Sequence, residues 1–242
     1  MKATIISTIL ILGIVTGLSG EGGKTFKIST SYKNLLSNPE HTGMLDRIME
    51  ETFQRIGLDA EIVFTPTEKS LINVNAGLLD AELNRIEGME QEFTNLVRVP
   101  EANMTMYFVA FSKGFFSIEG WESIRDLYIG IVRGWKILEK NTEGFPGLSL
   151  VPTETELFNM LEKDRLDVAL YSKLTGYATL KEMGYGDIFH LEPPLAERKM
   201  YLYVHRKHAD LVEKIADSLR SLKADGTYDE IVGESTKSYI EP

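Results

Sequence analysis

An internal repeat constrains the fold of this chain more than any other feature of its sequence. Residues 67–83 read TEKSLINVNAGLLDAEL and residues 153–170 read TETELFNMLEKDRLDVAL, with one residue more in the second copy. In both copies a Thr-Glu start and apolar residues at helical spacing precede a short apolar run that follows Leu-Asp. The pattern predicts a helix capped by Thr67 or Thr153, followed by a buried strand. It indicates either two similar α/β lobes or a chance likeness between two amphipathic helices.

Strand and helix patterns also alternate outside the repeat, which predicts an α/β fold. We expect strands at 26–31, 60–64, 128–132 and 149–151 and from Asp80 and Asp167, and helices at 43–56, from Trp135 onward and, as the last one, at 209–224. Strands that alternate with helices pair in parallel, and ligands bind beyond the carboxyl ends of such strands. The predicted site therefore lies where several strands end.

Two extended segments that contain proline, 97–106 and 190–199, are expected to connect the lobes. Two crossing segments form a hinge, because a few residues in them can absorb the rotation of one lobe against the other. We expect lobe 1 at 24–103 plus 196–242 and lobe 2 at 104–195, with the two copies of the repeat in separate sheets.

The first twenty residues have the pattern of a secretory leader. Lys2 is the only charged residue before Glu21, and residues 3–18 form an apolar run that small residues follow. We predict cleavage near Ser19 or Gly20. The alternative is an uncleaved membrane anchor, but the run is shorter than the roughly 20 residues that span a bilayer. The mature protein is expected in the periplasm, without a lipid anchor because the chain has no cysteine.

The composition argues against several other functions. With a net charge of −10 the chain lacks the basic face that nucleic acid or an anionic membrane requires. The absence of cysteine excludes disulfides, thiolate nucleophiles and cysteine zinc sites. The histidines are scattered, and no hydrolase, P-loop or dinucleotide fingerprint is present. We expect no metal, no cofactor and no catalytic residue.

Five segments resemble, in the expected order, parts of the family 3 extracellular solute-binding proteins, the amino-acid-type periplasmic receptors of ABC importers. They are TGMLDRIMEETFQRIG at 42–57, AGLLDAEL at 76–83, IGIVRGW at 129–135, DRLDVAL at 164–170 and SLKADGTYDEIVGE at 221–234. The resemblance implies a two-lobed type II periplasmic-binding-protein fold with two hinge crossings. It also implies a monomer that closes on a small molecule and delivers it to an importer permease, or presents it to a membrane sensor.

The ligand residues of that family are not all present. Where members that bind amino acids carry an arginine that clamps the α-carboxylate, this chain reads GMEQEFTN at 88–95. At or near Ser172 it lacks the aspartate that pairs with the α-amino group, and Trp135 replaces a hydroxyl residue. We therefore expect a small polar, anionic solute instead of a common α-amino acid.

Arg85 is the first candidate for binding such an anion. It follows the strand that begins at Asp80 and is expected to face the cleft with no carboxylate opposite it. The alternative is an ion pair with Glu82 or Glu87. A dehydratase on the same scaffold, a rival function, would use one of these two glutamates as its acid.

The remaining candidates follow other predicted strands or begin a helix. Arg133 and Gly134 precede a helix, where N–H groups and an arginine form an anion site, and Trp135 either contacts the ligand or anchors the core. The other predicted ligand residues are Tyr32, Thr42, Gly43, Tyr171 and Ser172. The alternatives are a surface tyrosine at 32, simple N-capping at 42 and helix packing at 171.

Overall fold

The computed structural model describes residues 25–32 and 34–240, so the predicted leader and its cleavage site lie outside the described residues. In the described part of the chain eight strands form one sheet. The strands are β1 Phe26–Thr30, β2 Ala60–Phe64, β3 Ala81–Arg85, β4 Leu96–Ser112, β5 Ile129–Val132, β6 Leu148–Val151, β7 Val168–Ser172 and β8 Phe189–His205.

Seven α-helices accompany the sheet within the same residues. They are α1 Met44–Gln54, α2 Thr67–Asn75, α3 Lys136–Asn141, α4 Glu154–Glu162, α5 Lys173–Met183, α6 Val212–Ala224 and α7 Thr227–Ile240. Short 3-10 helices lie at Met89–Gln91, Trp121–Ile124 and Arg206–Leu211. Among the helices of the described residues, none has both the length and the apolar character needed to cross a membrane.

The sheet consists of two parallel halves joined by two long antiparallel strands. Its order is β2-β1-β3-β8-β4-β7-β5-β6. β1 pairs in parallel with β2 and β3, and β5 pairs in parallel with β6 and β7. β4 and β8, of 17 residues each, pair antiparallel with each other and extend into both halves. The predicted α/β fold class is confirmed.

The central strands cross from one half to the other. β3 pairs with β8 near residues 201–204, whereas β7 pairs with β4 at residues 108–111. Between these pairings the register of β4 against β8 shifts at Arg98, Ala102 and Met104. The two copies of the repeat lie in one sheet and not in the two separate sheets that we expect from the sequence, because β4 and β8 are hydrogen-bonded in both halves.

Each copy of the repeat forms the predicted helix and strand, α2 before β3 and α4 before β7. The Thr153 hydroxyl accepts a hydrogen bond from the Glu156 N–H at 3.2 Å, so this residue is the predicted N-cap. In the first copy Pro66 occupies the cap position and α2 begins at Thr67, so the predicted cap is wrong there. Proline restricts φ to a value close to that of a helix and can begin one without a hydroxyl cap.

The carboxyl-terminal end also differs from the prediction. The predicted last helix does end at Ala224, but the chain turns at Gly226, with φ at +87°, and forms a further helix, α7. α7 packs on α1 and α6 beside one half of the sheet and on α5 beside the other. A glycine stop signal ends a helix but does not show whether another begins.

Apolar side chains fill the space between the sheet and the helices. The larger buried cluster runs through both halves and includes Ile28, Ile131 and Leu202. A second cluster, in the half that contains β5 to β7, includes Phe111 and Phe158. Because these clusters hold the strands along their length, the residues at the strand ends remain available for polar contacts.

Candidate functional site

Buried polar side chains collect at β1 and β3. Glu82 is 2% exposed and accepts a hydrogen bond from the Ser70 hydroxyl, which lies 2.7 Å from the Ser29 hydroxyl. Ser70 belongs to α2, which packs on both strands. Burial raises the pKa of the Glu82 carboxyl, while the Arg85 charge and the Ser70 hydroxyl oppose the rise. Glutamate is almost never fully buried without a partner, so this position needs a specific explanation.

Arg85 is the partner of this carboxylate. Its Nη2 lies 2.7 Å from Glu82 Oε1, whereas Glu87 lies 3.6 Å from Arg98. The prediction that no carboxylate lies opposite Arg85 is therefore wrong. The register of β3 shifts between Glu82 and Arg85, which explains how residues three apart in a strand can meet. Arg85 Nε is buried without a hydrogen-bond partner among the described residues, and Nη2 contacts the carboxylate without hydrogen-bond geometry.

Two buried asparagines add unpaired atoms. Asn84 is 1% exposed, and its Nδ2 donates to the Tyr32 hydroxyl at 3.3 Å. Asn103, in the crossing part of β4, is fully buried, and its Nδ2 donates to the Leu83 carbonyl. Within the described residues neither Oδ1 atom has a hydrogen-bond partner, which indicates a ligand or water as the missing one. We refer to the following residues as the polar cluster: Ser29, Tyr32, Ser70, Glu82, Asn84, Arg85 and Asn103.

Aromatic side chains of the other half approach the polar cluster. The ring centroids of Trp135 and Tyr171 are 5.0 Å apart, and Phe108 lies 5.5 Å from Trp135. Burial raises the pKa of Tyr171, and the nearby Glu154 and Tyr32 add to the rise. Tyr32 of the polar cluster thus lies within electrostatic range of Tyr171. The structure therefore places Tyr32 and Arg85 in the polar cluster of one half, and Trp135 beside Tyr171 in the other half.

A cavity of about 270 Å³ also lies between the two halves. Its wall comes from α1, the crossing part of β4, the end of β7, α5 and α7. Methionine, leucine, valine and tyrosine side chains make up most of this wall. Ser172, a predicted ligand residue, lines the cavity together with Lys173, although Ser172 is only 2% exposed.

The N–H groups just before α1 are hydrogen-bonded to side chains of the same chain. The Thr42 N–H donates to Asn38 Oδ1 at 3.1 Å, and the Gly43 N–H donates to Asp46 Oδ2 at 3.0 Å. A Cβ at Gly43 would lie 2.5 Å from the Ser37 Cα, so only glycine fits in this loop. Burial raises the pKa of Asp46, and hydrogen bonds from Ser37 and Asn38 oppose the rise. Thr42 and Gly43 therefore pack the loop, with their N–H groups already paired.

The predicted anion site after β5 is occupied by a carboxylate of the same chain. The Gly134 N–H donates to Glu139 Oε1 at 2.7 Å, and the φ of +94° at Gly134 favours glycine. Hydrogen bonds from Lys136 and from the Gly134 N–H lower the pKa of Glu139. Arg133 is exposed. Glu139 thus takes up the Gly134 N–H and pairs with Lys136, whereas Arg133 has no ion pair among the described residues.

The sequence predictions omit most of the polar cluster. Its signal lies in β3, where Glu82 and Asn84 interrupt a strand that the repeat predicts to be buried. Ser70 and Asn103 carry no such signal, because they reach the cluster from a helix and from the crossing strand. Among the described residues no group of three or more metal-ligating side chains occurs.

Comparison with solved structures identifies the fold. A histidine kinase sensor domain with similarity to periplasmic binding proteins has a TM-score of 0.70 at 16% identity, covering 90% of this chain and 97% of its own. The substrate-binding protein of an amino acid ABC transporter has a TM-score of 0.64 at 17% identity, covering 88% and 99%. An ancestral amino-acid-binding protein, a precursor of cyclohexadienyl dehydratase, has a TM-score of 0.66 at 14% identity, covering 88% and 95%.

The chain therefore has the two-lobed periplasmic-binding-protein fold, with β4 and β8 as its two crossings. The similar structures are solute-binding proteins and a sensor domain. At the level of sequence, an uncharacterized protein of Shewanella oneidensis is 22% identical over 213 residues, which cover 82% of this chain and 78% of that protein. No protein-family model matches the chain.

Proposed function

We propose that this protein is a periplasmic solute-binding receptor that closes its two lobes around a small polar solute. The observation that carries the proposal is the buried polar cluster, whose unpaired atoms within the described residues lie in a sheet with two halves joined by two long strands. The ligand sites of α/β sheets lie beyond the carboxyl ends of the strands, and Tyr32, Arg85 and Trp135 lie at or just after the ends of β1, β3 and β5. A connection of two strands allows the lobes to rotate against each other.

The polar cluster supports a solute that both donates and accepts hydrogen bonds. Its unpaired atoms are the amide oxygens of Asn84 and Asn103, which accept, and Arg85 Nε, which donates. The pair of Glu82 and Arg85 carries no net charge, so the cluster alone does not select an anion. The rings of Trp135 and Tyr171 would cover an apolar face of the solute.

We assign residues 24–103 and 196–242 to lobe 1 and residues 104–195 to lobe 2. The pairing of β3 with β8 in one half, and of β7 with β4 in the other, supports this division. Helix α7 packs on α1 and α6 of lobe 1 and on α5 of lobe 2. Rotation of the lobes would therefore move α5 against α7.

The membrane partner is proposed to be an ABC importer permease or, as the alternative, a sensor protein. The likeness to the binding protein of an importer supports the first, and the likeness to a histidine kinase sensor domain supports the second. The receptor itself is proposed to be a monomer that is secreted by a cleaved leader at 1–20. A dehydratase is not favoured, since Glu82 is held by Ser70 and Arg85 and is not free to act as an acid.

Mass spectrometry of the protein purified under native conditions tests the proposal. We expect a small molecule to accompany the wild type and to be lost from Asn84→Ala and from Trp135→Ala, which each remove a proposed contact. Arg220→Met is the matched control, because Arg220 lies on α6 and pairs with Asp217 at the surface.

Two results would contradict the proposal. If no retained or added small molecule raises the melting temperature of the wild type, the protein is not a receptor of this kind. If both variants keep the retained molecule as firmly as Arg220→Met does, the site lies elsewhere in the protein.

A further inference from the structure

The cavity between the halves ends at an uncapped helix. α5, a helix of 11 residues, begins at Lys173, directly after Ser172 at the end of β7. No side chain caps its first N–H groups, and its first turn holds no acidic residue. The first N–H groups of a helix have no partner within the helix and carry partial positive charge, which favours an anion.

Ser172 is a second, independent sign of a missing partner. It is 2% exposed and lines the cavity, and within the described residues its hydroxyl has no hydrogen-bond partner. Buried polar side chains are nearly always hydrogen-bonded. The hydroxyl and the uncapped helix therefore offer several donors at one end of the same cavity.

Lys173 adds a positive charge at this end. Its Nζ donates to Glu192 Oε1 at 3.0 Å, and the same oxygen lies 2.9 Å from His190 Nε2. The Tyr177 hydroxyl, 2.6 Å from His190 Nδ1, completes the group of titratable residues here. Lys173 and Glu192 are both partly exposed, and such ion pairs contribute little to stability. Lys173 can therefore turn to a ligand while Glu192 keeps its contact with His190.

The remainder of the cavity suits an apolar group. Met44, Met104, Met106, Leu174 and Val232 line it. Methionine side chains adapt to the shape of a bound molecule. The volume of about 270 Å³ lies just below the range of roughly 300–1,000 Å³ for ligand pockets, which restricts the occupant to a small molecule.

We infer that the cavity binds a small amphipathic carboxylate. Its carboxylate group lies at the start of α5, with the Ser172 hydroxyl, the first N–H groups of the helix and Lys173 as partners. Its apolar part lies against the methionines. The inference rests on the proposed function, because the cavity lies between the proposed lobes, but it describes a second site that shares no residue with the polar cluster. The anion is then bound by residues other than Arg85 and Arg133.

Isothermal titration calorimetry of the mature chain with hexanoate and with hexanamide tests the inference. The two probes share an apolar body and differ in charge, so we expect hexanoate to bind at least about tenfold more tightly, as the loss of a charge-assisted hydrogen bond implies. Lys173→Met should weaken hexanoate binding by about tenfold or more, and Lys173→Arg should keep most of it. Val232→Trp should fill the cavity and abolish binding, whereas Val232→Ala at the same position should not.

Three outcomes would overturn the inference. They are equal binding of the two probes, an unchanged affinity for hexanoate in Lys173→Met, and no binding of hexanoate to the wild type at about 1 mM. The melting temperature of each variant without ligand checks that it folds. If Asn84→Ala loses the retained solute while Lys173→Met has no effect, only this inference fails and the proposed function stands. If the wild type binds no solute of any kind, both fail.

Discussion

The two copies of the repeat build the same backbone frame. In the first copy Asp80 Oδ2 accepts a hydrogen bond from the Lys27 N–H at 3.0 Å, and in the second Asp167 Oδ2 accepts one from the Tyr128 N–H at 2.7 Å. In turn, the Asp80 N–H donates to the Lys27 carbonyl at 2.9 Å, and the Asp167 N–H donates to the Tyr128 carbonyl at 2.8 Å. Each copy thus connects the start of its strand to the start of the neighbouring parallel strand, β1 or β5.

Beyond the aspartates the copies differ in chemistry. When Asp80 and Asp167 are aligned, three polar residues of β3 correspond to three residues of β7: Glu82 to Ala169, Asn84 to Tyr171 and Arg85 to Ser172. The neighbouring strands differ in the same way, since Ser29 of β1 corresponds to Gly130 of β5. The comparison teaches that one frame can carry a buried polar cluster in one half and apolar and aromatic packing in the other.

The largest difference in stability between the two copies is expected when Arg85 or its counterpart Ser172 is replaced. Arg85→Met leaves the Glu82 carboxylate buried without its partner and should lower the free energy of unfolding by about 3–5 kcal/mol. Ser172→Ala, at the corresponding position, should cost less than about 0.5 kcal/mol, because it removes a hydroxyl that has no partner among the described residues. Urea denaturation of both variants measures the two effects.

The pH dependence of the stability of Arg85→Met tests whether the buried Glu82 charge causes the loss. Burial already raises the pKa of Glu82 above its ordinary 4.5, and removal of the opposing Arg85 charge should raise it further. A carboxyl group whose pKa is raised by folding favours the folded state below its unfolded pKa, and this contribution is lost as pH rises. The deficit of Arg85→Met should therefore shrink toward pH 4.5, and Glu82→Gln should reduce it at neutral pH. A deficit that is independent of pH would refute this explanation.

Replacing Asp80 or Asp167 should give a smaller difference in stability between the two copies. Burial would raise the pKa of Asp80, but hydrogen bonds from Lys207, the Lys27 N–H and His208 lower it to about 2. Asp80→Asn is expected to cost about 2–3 kcal/mol at neutral pH, and Asp167→Asn, which loses the charge at one N–H bond, about 1 kcal/mol.

Acid denaturation also distinguishes the contribution of Asp80 from that of Asp167. The stabilisation from Asp80 is fully present above its unfolded pKa of 3.8 and is lost as pH falls toward about 2. The difference between wild type and Asp80→Asn should disappear over that interval. Equal costs for the two substitutions at neutral pH would show that the contacts of Lys207 and His208 add nothing to the common frame.

Gly130 tests the apolar packing of the second copy. A Cβ there would lie 2.4 Å from Leu166 Cδ1 and 2.5 Å from Leu157 Cδ1. Since leucine ends can shift partly, Gly130→Ala should cost about 1–2 kcal/mol through overpacking. Gly186→Ala is the matched control, because nothing lies within 4 Å of an added Cβ at that position. Similar melting temperatures for the two variants would show that this strand is less tightly packed than the structure indicates.

The smallest effect is expected where the two halves begin their first helices. Asp46 is buried and paired with Ser37, Asn38 and Gly43, whereas Glu139 is partly exposed and pairs with Lys136 and Gly134. Glu139→Gln should change the melting temperature by less than about 2 °C, and Asp46→Asn by more. Differential scanning calorimetry can order the two, and the reverse order would contradict the assignment of Asp46 as the stronger contact.

Much of the fold can be predicted from local patterns. The strands expected at 26–31, 60–64, 128–132 and 149–151 lie within one residue of the observed bounds at each end. The same patterns do not show α5 or α7, because α5 is packed between strands, α4 and α7, and α7 lies among α1, α5 and α6. A helix with neighbours on several sides has no single apolar stripe to detect.

The candidate site is predicted less completely. Tyr32 and Arg85 lie in the polar cluster, Trp135 packs on Tyr171 in the other half, and Ser172 lines the cavity. The N–H groups of Thr42, Gly43 and Gly134 are paired with Asn38, Asp46 and Glu139, and Arg133 is exposed. Residue type and order along the chain identify candidates, but they do not show which partner a charged group has in space.

The sequence by itself determined the alternation of strands and helices, the repeat and the two crossings, because periodicity and turn residues act between neighbours in the chain. Only the tertiary structure decided which charges are neutralised. The irregular register of β3 brings Glu82 to Arg85, and the crossing of β4 brings Asn103, twenty residues further along, to the Leu83 carbonyl. Pairing energies depend on distance and burial in space, so the chemistry of the site was set by packing and strand register.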